Sequence, residues 1–251
     1  METAAARPLH LAILGYGKMG RTIAQLAPQR GFEVRLIMDV DTHAGAAGSM
    51  TPTAGITPTN FKGIDVCVEF TEPKAVLDNV RRVAEVGCNL VVGTTGWHQH
   101  LEEVRKIVEA HGIGMVYAAN FSIGVQLFYR LARQAAELFA AFPMYDPYLT
   151  EAHHKFKKDA PSGTALELKR QVQPAFKERD VPVASVRAGY IPGWHELGFD
   201  SEADTVILRH TARSRQGLAE GALHAARWVV GKKGLFNFAD VLSHGDTEAQ
   251  R

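Results

Sequence analysis

The sequence predicts an α/β fold in which a doubly wound parallel sheet is joined to a smaller α+β domain. Apolar runs alternate with helical patterns up to about Phe121, which is typical of a parallel sheet covered by helices. A glycine-rich turn separates the first apolar run from the first helical pattern. Beyond Phe121 strands predominate around one helix, so we expect a second domain, and 251 residues suffice for one to two domains.

The first part of the chain alternates strands and helices. We predict strands at Leu9–Leu14, Phe32–Asp39, Ile64–Phe70, Asn89–Gly93 and Ile113–Ala118. Helical spacing of apolar residues, with glycine or proline near the ends, predicts helices at Arg21–Arg30, Pro73–Val86 and Gln99–Ala110. Thr42–Phe61 is rich in Gly, Thr, Pro and Ala, which indicates a loop with room for one short strand. This order favours parallel strands joined by right-handed crossovers.

The second part begins with one long, mostly apolar helix, Ile123–Phe142. Strands are predicted in YLTEAHH, VPVASVRAGY and DTVILRHTA, with a helix at Pro161–Lys177 set among them, so this sheet should be mixed or antiparallel. Ala222–Gly231 is predicted as the final helix, packed back on the first domain. We therefore expect a first domain of residues 1–121 with 214–251 and a second domain of residues 122–213.

Composition excludes several classes of function. Lys and Arg number 28 and Asp and Glu 27, so the net charge of +1 gives no general attraction to nucleic acid or an anionic membrane. The apolar runs are shorter than the ~20 residues that a membrane span needs. Cys67 and Cys88 lie in apolar runs, which indicates buried thiols rather than a disulfide scaffold or a redox pair. The N-terminal METAAARPLH contains no apolar signal segment, so we expect a cytoplasmic protein.

The glycine-rich turn GYGKMG matches G-x-G-x-x-G between a strand and a helix. Its three glycines would allow a tight turn, close approach of a pyrophosphate and close helix–strand packing, and the helix N-terminus would attract the anion. The context predicts a Rossmann-type dinucleotide-binding domain, the alternative being a purely structural turn followed by an exposed aspartate. The predicted cofactor-binding residues are Gly15, Tyr16, Gly17, Lys18 and Met19, together with Asp39 at the end of the next strand.

Asp39 also bears on the choice of cofactor. Its carboxylate can accept hydrogen bonds from a ribose 2′-OH and would repel a 2′-phosphate, and no arginine follows at Val40 or Asp41. We therefore expect NADH to serve at least as well as NADPH. Arg35 or Lys62 could still reach a 2′-phosphate, which leaves the alternative open.

Two further loops follow predicted strands, at GTTG and AANF. Because ligands of open α/β sheets bind at the carboxyl ends of the strands, we expect both loops to line the nicotinamide and its ribose, although each could be a simple turn. The residues concerned are Gly93, Thr94, Thr95, Ala118, Ala119, Asn120 and Phe121.

A charged stretch, EAHHKFKKDAPSGT from Glu151 to Thr164, is the most informative part of the chain. Residues 151–159 hold two His, three Lys and two acids at the end of a predicted strand. The following DAPSGT opens a helix, so the N–H groups of Gly163 and Thr164 should be unpaired and able to bind an anion. Lysines and histidines opposite would complete a carboxylate site; the alternative is a solvated charged loop.

Metal and nucleophile chemistry are disfavoured at this stretch. Adjacent histidines on a strand point to opposite faces, and neither CxxC nor HExxH occurs, so we expect no metal. G-x-S-x-G is also absent, and Ser162 is better placed as a helix cap than as a nucleophile.

At this stretch the chain resembles the dihydrodipicolinate reductases (4-hydroxy-tetrahydrodipicolinate reductases). The family pattern E-x-H-H-x-x-K-x-D-A-P-S-G-T stands here without a gap, and GTTG, AANFSIGV, RAGYIPGWHELGF and HTARSRQGLAEGALHAARWV also match. One departure is Leu14, where the family often has glycine.

The resemblance implies a function and residue roles. The reaction would use NADH or NADPH to reduce 4-hydroxy-tetrahydrodipicolinate to tetrahydrodipicolinate, with loss of water, in lysine and diaminopimelate biosynthesis. His153 would be the acid/base and Lys157 the proton donor, while His154, Gly163 and Thr164 would bind the dicarboxylate. The second domain would then bind substrate and form a homotetramer through its sheet.

Two other functions stay open at this point. Another amino-acid dehydrogenase with a Rossmann domain, such as an aspartate or diaminopimelate dehydrogenase, is disfavoured by HHKFKKDAPSGT. A non-catalytic dinucleotide sensor would tolerate loss of His153 and Lys157, yet both are present.

Overall fold

The computed structural model describes residues 7–39, 55–177 and 179–248. Val40, Asp41, most of the predicted loop up to Phe61 and the N-terminal METAAA lie outside the described residues. The chain divides into two compact units, Met1–Ser122 with Leu218–Arg251, and Ile123–Gly217. The domain boundaries predicted above lie within four residues of these divisions.

The first unit begins with the expected strand–turn–helix–strand order: β1 (Leu9–Leu14), α1 (Lys18–Leu26) and β2 (Phe32–Met38). The remaining elements before the second unit are β3 (Val66–Glu69), α2 (Val76–Glu85), β4 (Asn89–Val92), α3 (Leu101–His111) and β5 (Gly114–Tyr117). Each of these strands and helices was predicted as the correct type, but several of the observed ends differ from the predicted ones. The first predicted helix finishes as a short 3-10 turn, Ala27–Arg30, closed by the left-handed Gly31. The second begins three residues after Pro73.

The C-terminal part of this unit corrects the sequence analysis. The helix predicted at Ala222–Gly231 is longer, α6 (Gln216–Val229), and it is not the last element. It is followed in order by a strand, Gly234–Asn237, and a helix, Phe238–Glu248. Only Leu235 and Phe236 of this edge strand are apolar, which is too short a run to predict a strand, so its pairing with β5 reveals it.

The six strands of this unit form one parallel sheet. With the C-terminal strand numbered β10, their order is β10-β5-β4-β3-β1-β2. The chain therefore reverses its direction of winding between β1 and β3, and in open α/β sheets the crevice at such a point is where ligands bind. Cys67 and Cys88 are free and buried in this core, as predicted, and burial raises the pKa of Cys88 to about 12.

The second unit is a mixed sheet with two long helices. Its elements are α4 (Ile123–Phe139), β6 (Asp146–His153), α5 (Gly163–Phe176), β7 (Val183–Arg187), β8 (Trp194–Asp200) and β9 (Thr205–Thr211). The strand order is β7-β6-β8-β9, with β6 parallel to β7 and the other pairs antiparallel, which confirms the mixed sheet. Strand β8 was not predicted, because Gly198 and the polar His195 and Glu196 interrupt its apolar residues. Helix α4 ends three residues early and α5 begins two residues after Pro161.

One face of this sheet carries the core of the second unit. Leu149 and Leu197 are register partners, are almost fully buried, and pack with α4 and α5. The opposite face carries Tyr148, Val186, Glu196 and Ile207. Within the described parts of the chain, no helix combines the length and apolar character that crossing a bilayer requires.

Candidate active site

The glycine-rich turn has the shape that a dinucleotide needs. Gly15 has a φ of +87°, and its N–H donates to the carbonyl of Met38 at 2.8 Å. A Cβ on Gly20 would overlap the carbonyl oxygen of Gly15, whereas a Cβ on Gly17 would meet nothing within 4 Å. Gly15 and Gly20 therefore shape the turn, and Gly17 leaves open space at the start of α1. These residues fit a bound pyrophosphate.

The first turn of α1 adds positive charge to the helix end. Lys18 is the first helical residue, and no acidic residue occurs in this turn. Arg21, which the sequence analysis did not single out, donates from Nε to the carbonyl of Tyr16 at 3.1 Å and lies over its ring. Its position, a basic residue in the first helical turn after a glycine-rich loop, could have identified it from the sequence. Helix dipole and side chains together favour an anion here.

Asp39 lies beside this turn, although it is 23 residues from Tyr16. Its carboxylate accepts a hydrogen bond from the Tyr16 N–H at 2.6 Å. Met19 is half-buried in the first turn. Arg35 pairs instead with Glu33 at 2.8 Å, and Lys62 is exposed.

The loops after β4 and β5 both approach Phe70, a residue that was not among the predicted site residues. A Cβ on Gly93 would overlap the Phe70 ring, and the Phe121 ring lies 6.2 Å from it. The other predicted residues divide by exposure: Thr94 and Ala118 are buried, Asn120 is half-buried, and Thr95 and Ala119 are exposed. The carbonyl of Thr94 accepts from the Trp97 indole at 2.7 Å, and Asn120 Oδ1 accepts from the Ser122 N–H at 2.8 Å.

A buried carboxylate, Glu69, closes β3 at the same edge of the sheet. It accepts hydrogen bonds from the Thr71 hydroxyl and N–H and from the amide of Asn79 at 3.2 Å. All of these partners are neutral, so burial raises the pKa of Glu69 above its ordinary value.

In the second unit, Glu151 occupies the centre of the charged cluster and is fully buried. One carboxylate oxygen contacts Nδ1 of His153. The other accepts from Arg187 at 2.7 Å and from the Ser162 N–H at 3.3 Å. Burial by itself would raise the pKa of Glu151, but the hydrogen bonds from Arg187 and His153 hold it at about 2. Glu151 is therefore ionised at neutral pH.

His153 stands at the end of β6 with its two ring nitrogens in different surroundings. Nδ1 faces Glu151, while a Cβ on Gly193 would lie 2.9 Å from Nε2. The His195 ring lies 5.1 Å away, edge to face. Burial lowers the pKa of His153 despite the Glu151 carboxylate, and the charges of Lys157 and Arg187 lower it further. The imidazole is therefore neutral near pH 7 and able to take up a proton.

Ser162 caps α5, as predicted, because its hydroxyl accepts from the Ala165 N–H at 3.2 Å. The same hydroxyl lies 3.0 Å from Nε2 of His195. Burial, together with the neighbouring His153, lowers the pKa of His195 to about 4. A neutral histidine therefore anchors the start of this helix.

Asp159 lies four residues before Gly163, in the loop that leads into α5. Its pKa is lowered chiefly by the hydrogen bond from the Lys157 ammonium, with a smaller contribution from the N–H of Gly163. Negative charge near a helix N-terminus is stabilised. Lys157 Nζ binds the same carboxylate at 2.8 Å. Asp159 thus brings the predicted proton donor and the predicted anion site together.

Thr164 and His154 are the two remaining predicted residues, the first in the opening turn of α5 and the second directly after β6. The carbonyl of Thr164 accepts from the Tyr129 hydroxyl at 3.4 Å. His154 follows β6, and its Nδ1 is buried without a hydrogen-bond partner among the described residues. A polar atom of this kind fits a residue that binds a polar ligand.

Glu151, His153 and His195 also present three atoms of the kinds that bind metals within 4.8 Å of one another, the one such group among the described residues. These atoms already face Arg187, Ser162 and each other. A cation would have to share the Glu151 carboxylate with the Arg187 guanidinium, so the donor set suits a hydrogen-bonded cluster better than a metal.

Comparison with known proteins agrees with this geometry. The family models for the N-terminus and the C-terminus of dihydrodipicolinate reductase match residues 9–121 and 124–242. The 4-hydroxy-tetrahydrodipicolinate reductase of Christiangramia forsetii is 32% identical over 248 residues, which cover 94% of this chain and 98% of that protein. The enzyme of the same name from Methanoregula boonei is 34% identical over 244 residues, covering 90% and 94%.

Among solved structures, dipicolinate-bound dihydrodipicolinate reductase from Paenisporosarcina sp. TG-14 has the same fold. The TM-score is 0.80 at 23% identity, and the match covers 93% of this chain and 99% of that one. The two family models together span nearly all of the chain, which therefore belongs to the dihydrodipicolinate reductase family.

Proposed function

We propose that this chain is an NAD(P)H-dependent oxidoreductase that reduces 4-hydroxy-tetrahydrodipicolinate to tetrahydrodipicolinate, with loss of water, in lysine and diaminopimelate biosynthesis. The observation that carries this proposal is the joining of His153, through Glu151, to the N-terminus of α5 in a chain of this family. Family membership also decides against an aspartate or diaminopimelate dehydrogenase and against a sensor that has lost its catalytic residues.

The dinucleotide would be held by the first unit. Gly15 to Met19 and Arg21 surround the anion site, and Asp39 is close enough to the turn to meet the adenine ribose. The loops at Gly93–Thr95 and Ala118–Phe121 would receive the nicotinamide end. When bound, the reduced nicotinamide supplies a hydride to ring carbon 4 of the substrate.

The substrate would be held by the second unit. A small dicarboxylate suits a helix N-terminus flanked by cations, and the Paenisporosarcina relative carries dipicolinate. We assign one substrate carboxylate to the N–H groups of Gly163 and Thr164, where it would replace the carboxylate of Asp159. His154, whose Nδ1 is buried without a partner among the described residues, would bind the substrate beside it.

Protons would be handled by Lys157 and His153. Reduction of a conjugated imine leaves electron density on the neighbouring carbon, and a cationic Lys157 can protonate it. Release of Lys157 from Asp159 on substrate binding would free its ammonium for this step. His153 exchanges protons through Nε2, the nitrogen that Glu151 does not contact.

Three finer features belong to the proposal. NADH should serve at least as well as NADPH, because Asp39 would repel a 2′-phosphate. The enzyme should be cytoplasmic, where its free thiols stay reduced. The second sheet should form a homotetramer, since Val186 and Ile207 on its helix-free face are each 49% exposed. Ile207→Asp should then reduce the particle mass seen by light scattering.

The decisive assay uses the purified chain with the product of aspartate semialdehyde and pyruvate condensation. We expect loss of NADH absorbance that depends on both the chain and the condensation product. A folded chain that oxidises neither NADH nor NADPH in this assay would reject the proposal.

A further inference from the structure

Glu151 is a fully buried carboxylate to which the reaction outlined above assigns no step. Burying a charge is costly unless the charge is paired and hydrogen-bonded, so its surroundings indicate what it does. Its two oxygens have separate partners. One contacts His153, and the other contacts Arg187 and the N–H of Ser162.

The contact with His153 determines where the imidazole carries its proton. An ionised carboxylate only accepts hydrogen bonds, and the Arg187 guanidinium at 2.7 Å favours the ionised form of Glu151. Nδ1 of His153 must therefore be the protonated nitrogen of the neutral ring. That leaves the lone pair on Nε2, the nitrogen beside Gly193. A side chain at Gly193 would press on this nitrogen, since its Cβ would lie 2.9 Å away.

The second oxygen links the histidine to the anion site. The N–H of Ser162 lies 3.3 Å from it, and Ser162 is the residue directly before Gly163. Arg187 extends the link, because the nitrogen that binds Glu151 also donates to the carbonyl of Asp159 at 2.6 Å. One carboxylate thus orients the strand end that carries His153 relative to the loop and helix that carry Lys157 and Gly163.

We propose that Glu151 is the positioning residue of this site. It fixes the Nδ1-protonated tautomer of His153, and it holds the imidazole at a fixed position relative to the N-terminus of α5. The inference rests on the proposed function for its kinetic consequence, but the tautomer itself does not depend on any substrate. The charged and titratable groups that face His153 are Glu151, Arg187, Lys157 and His195.

Glu151→Gln tests the proposal, with Glu196→Gln as the matched control. The amide oxygen of Gln can accept from Arg187, so its NH₂ group would point at His153 and require Nδ1 to become the acceptor. We expect the tautomer to change to Nε2-protonated, kcat to fall about 100-fold or more, and KM to change little. Glu196 pairs with Arg209 at 3.2 Å on the opposite face of the same sheet, and its substitution should leave kcat and tautomer unchanged.

The pH profile gives a third readout. The Glu151 carboxylate stabilises protonated His153, so its removal should shift the acidic limb of kcat/KM to lower pH. Two-dimensional ¹H–¹⁵N spectra of histidine-labelled protein report the tautomer directly, without substrate, and His153→Asn identifies the signal.

Two outcomes would overturn the proposal, and a third would separate it from the proposed function. An Nε2-protonated His153 in the unaltered protein overturns the proposal even if Glu151→Gln fails to fold. A folded Glu151→Gln chain that keeps the Nδ1-protonated tautomer, whatever its activity, also overturns it. An inactive natural chain whose His153 carries the proton on Nδ1 would refute the proposed function and leave the assignment of the tautomer intact.

Discussion

Glu69 in the first unit and Glu151 in the second are both fully buried carboxylates at or near the carboxyl end of a strand, but they have opposite electrostatic surroundings. Glu69 is hydrogen-bonded to the neutral Thr71 and Asn79, and burial raises its pKa. Glu151 meets Arg187 and His153, and its pKa is held at about 2 in spite of burial.

The two candidate sites also differ in how their charges are arranged. The predicted dinucleotide site combines glycines and a helix N-terminus with the basic Lys18 and Arg21, which suits a ligand that brings negative charge. The cluster in the second unit pairs the ionised Glu151 with Arg187 beside the neutral His153, which suits proton exchange. Glu69 and Glu151 are both inaccessible to solvent, so the identity of their hydrogen-bond partners decides the direction of each pKa shift.

Removing Lys157 should have the largest effect on activity. We expect Lys157→Ala to lower kcat by ~10²–10⁴-fold, because the proposed general acid is lost, while the dissociation constant of NADH stays the same. Steady-state kinetics and fluorescence titration with NADH would measure the two quantities. Lys158→Ala, one residue away, should remain fully active, and near-normal turnover of Lys157→Ala would contradict the assigned role.

Exchanging each buried glutamate for glutamine tests the electrostatic comparison. Glu151→Gln should lower the free energy of unfolding at pH 7 by about 2 kcal/mol, because the half-buried Arg187 guanidinium keeps a hydrogen-bond acceptor but loses the negative charge that pairs with it. Glu69→Gln should change it by less than about 1 kcal/mol, since a neutral group replaces a carboxylate that burial already disfavours. Urea unfolding measures both, and equal losses would contradict the contrast.

The two carboxylates should make the free energy of unfolding depend on pH in opposite directions. The pKa of Glu151 is lowered, so its contribution is present above pH 4.5 and is lost as the pH falls towards 2. The pKa of Glu69 is raised from 4.5, so its contribution is present below that pH and is lost as the pH rises through the folded value. Each glutamine variant should lack the corresponding slope in unfolding experiments across this range.

Two glycine substitutions test the first site in the same way. Gly20→Ala should lower Tm by several degrees, because its Cβ would overlap the carbonyl of Gly15. Gly17→Ala should leave Tm unchanged and weaken NADH binding by about tenfold, since its Cβ enters the open space predicted for the pyrophosphate. Calorimetry with and without NADH separates the effects; unchanged affinity in Gly17→Ala would place the pyrophosphate elsewhere.

His154→Ala should affect activity far less than Lys157→Ala. Loss of one hydrogen bond to a charged substrate should raise KM by about tenfold and leave kcat nearly unchanged. Initial rates over a range of substrate concentrations give both constants. A fall in kcat alone would mean that His154 takes part in the proton steps.

Local patterns along the chain determined much of the fold. The order from β1 to β5 followed from apolar runs and helical spacing, and the turn from Gly15 to Gly20 followed from three glycines between a strand and a helix. Neighbours in sequence dominate such features, so they can be read from the chain. Strand β8 and the C-terminal edge strand were missed because their conformation depends on pairing with distant strands.

The candidate sites likewise depend partly on local sequence and partly on tertiary contacts. The sequence alone determined that His153, Lys157 and the start of α5 belong together, because they lie within one short charged stretch. Only the tertiary structure placed Arg187, Gly193 and His195 around them, since pairing of β6 with β7 and β8 joins segments more than thirty residues apart. The charge state of a buried group depends on such partners, so the contrast between Glu69 and Glu151 was decided by packing and not by the chain's local pattern.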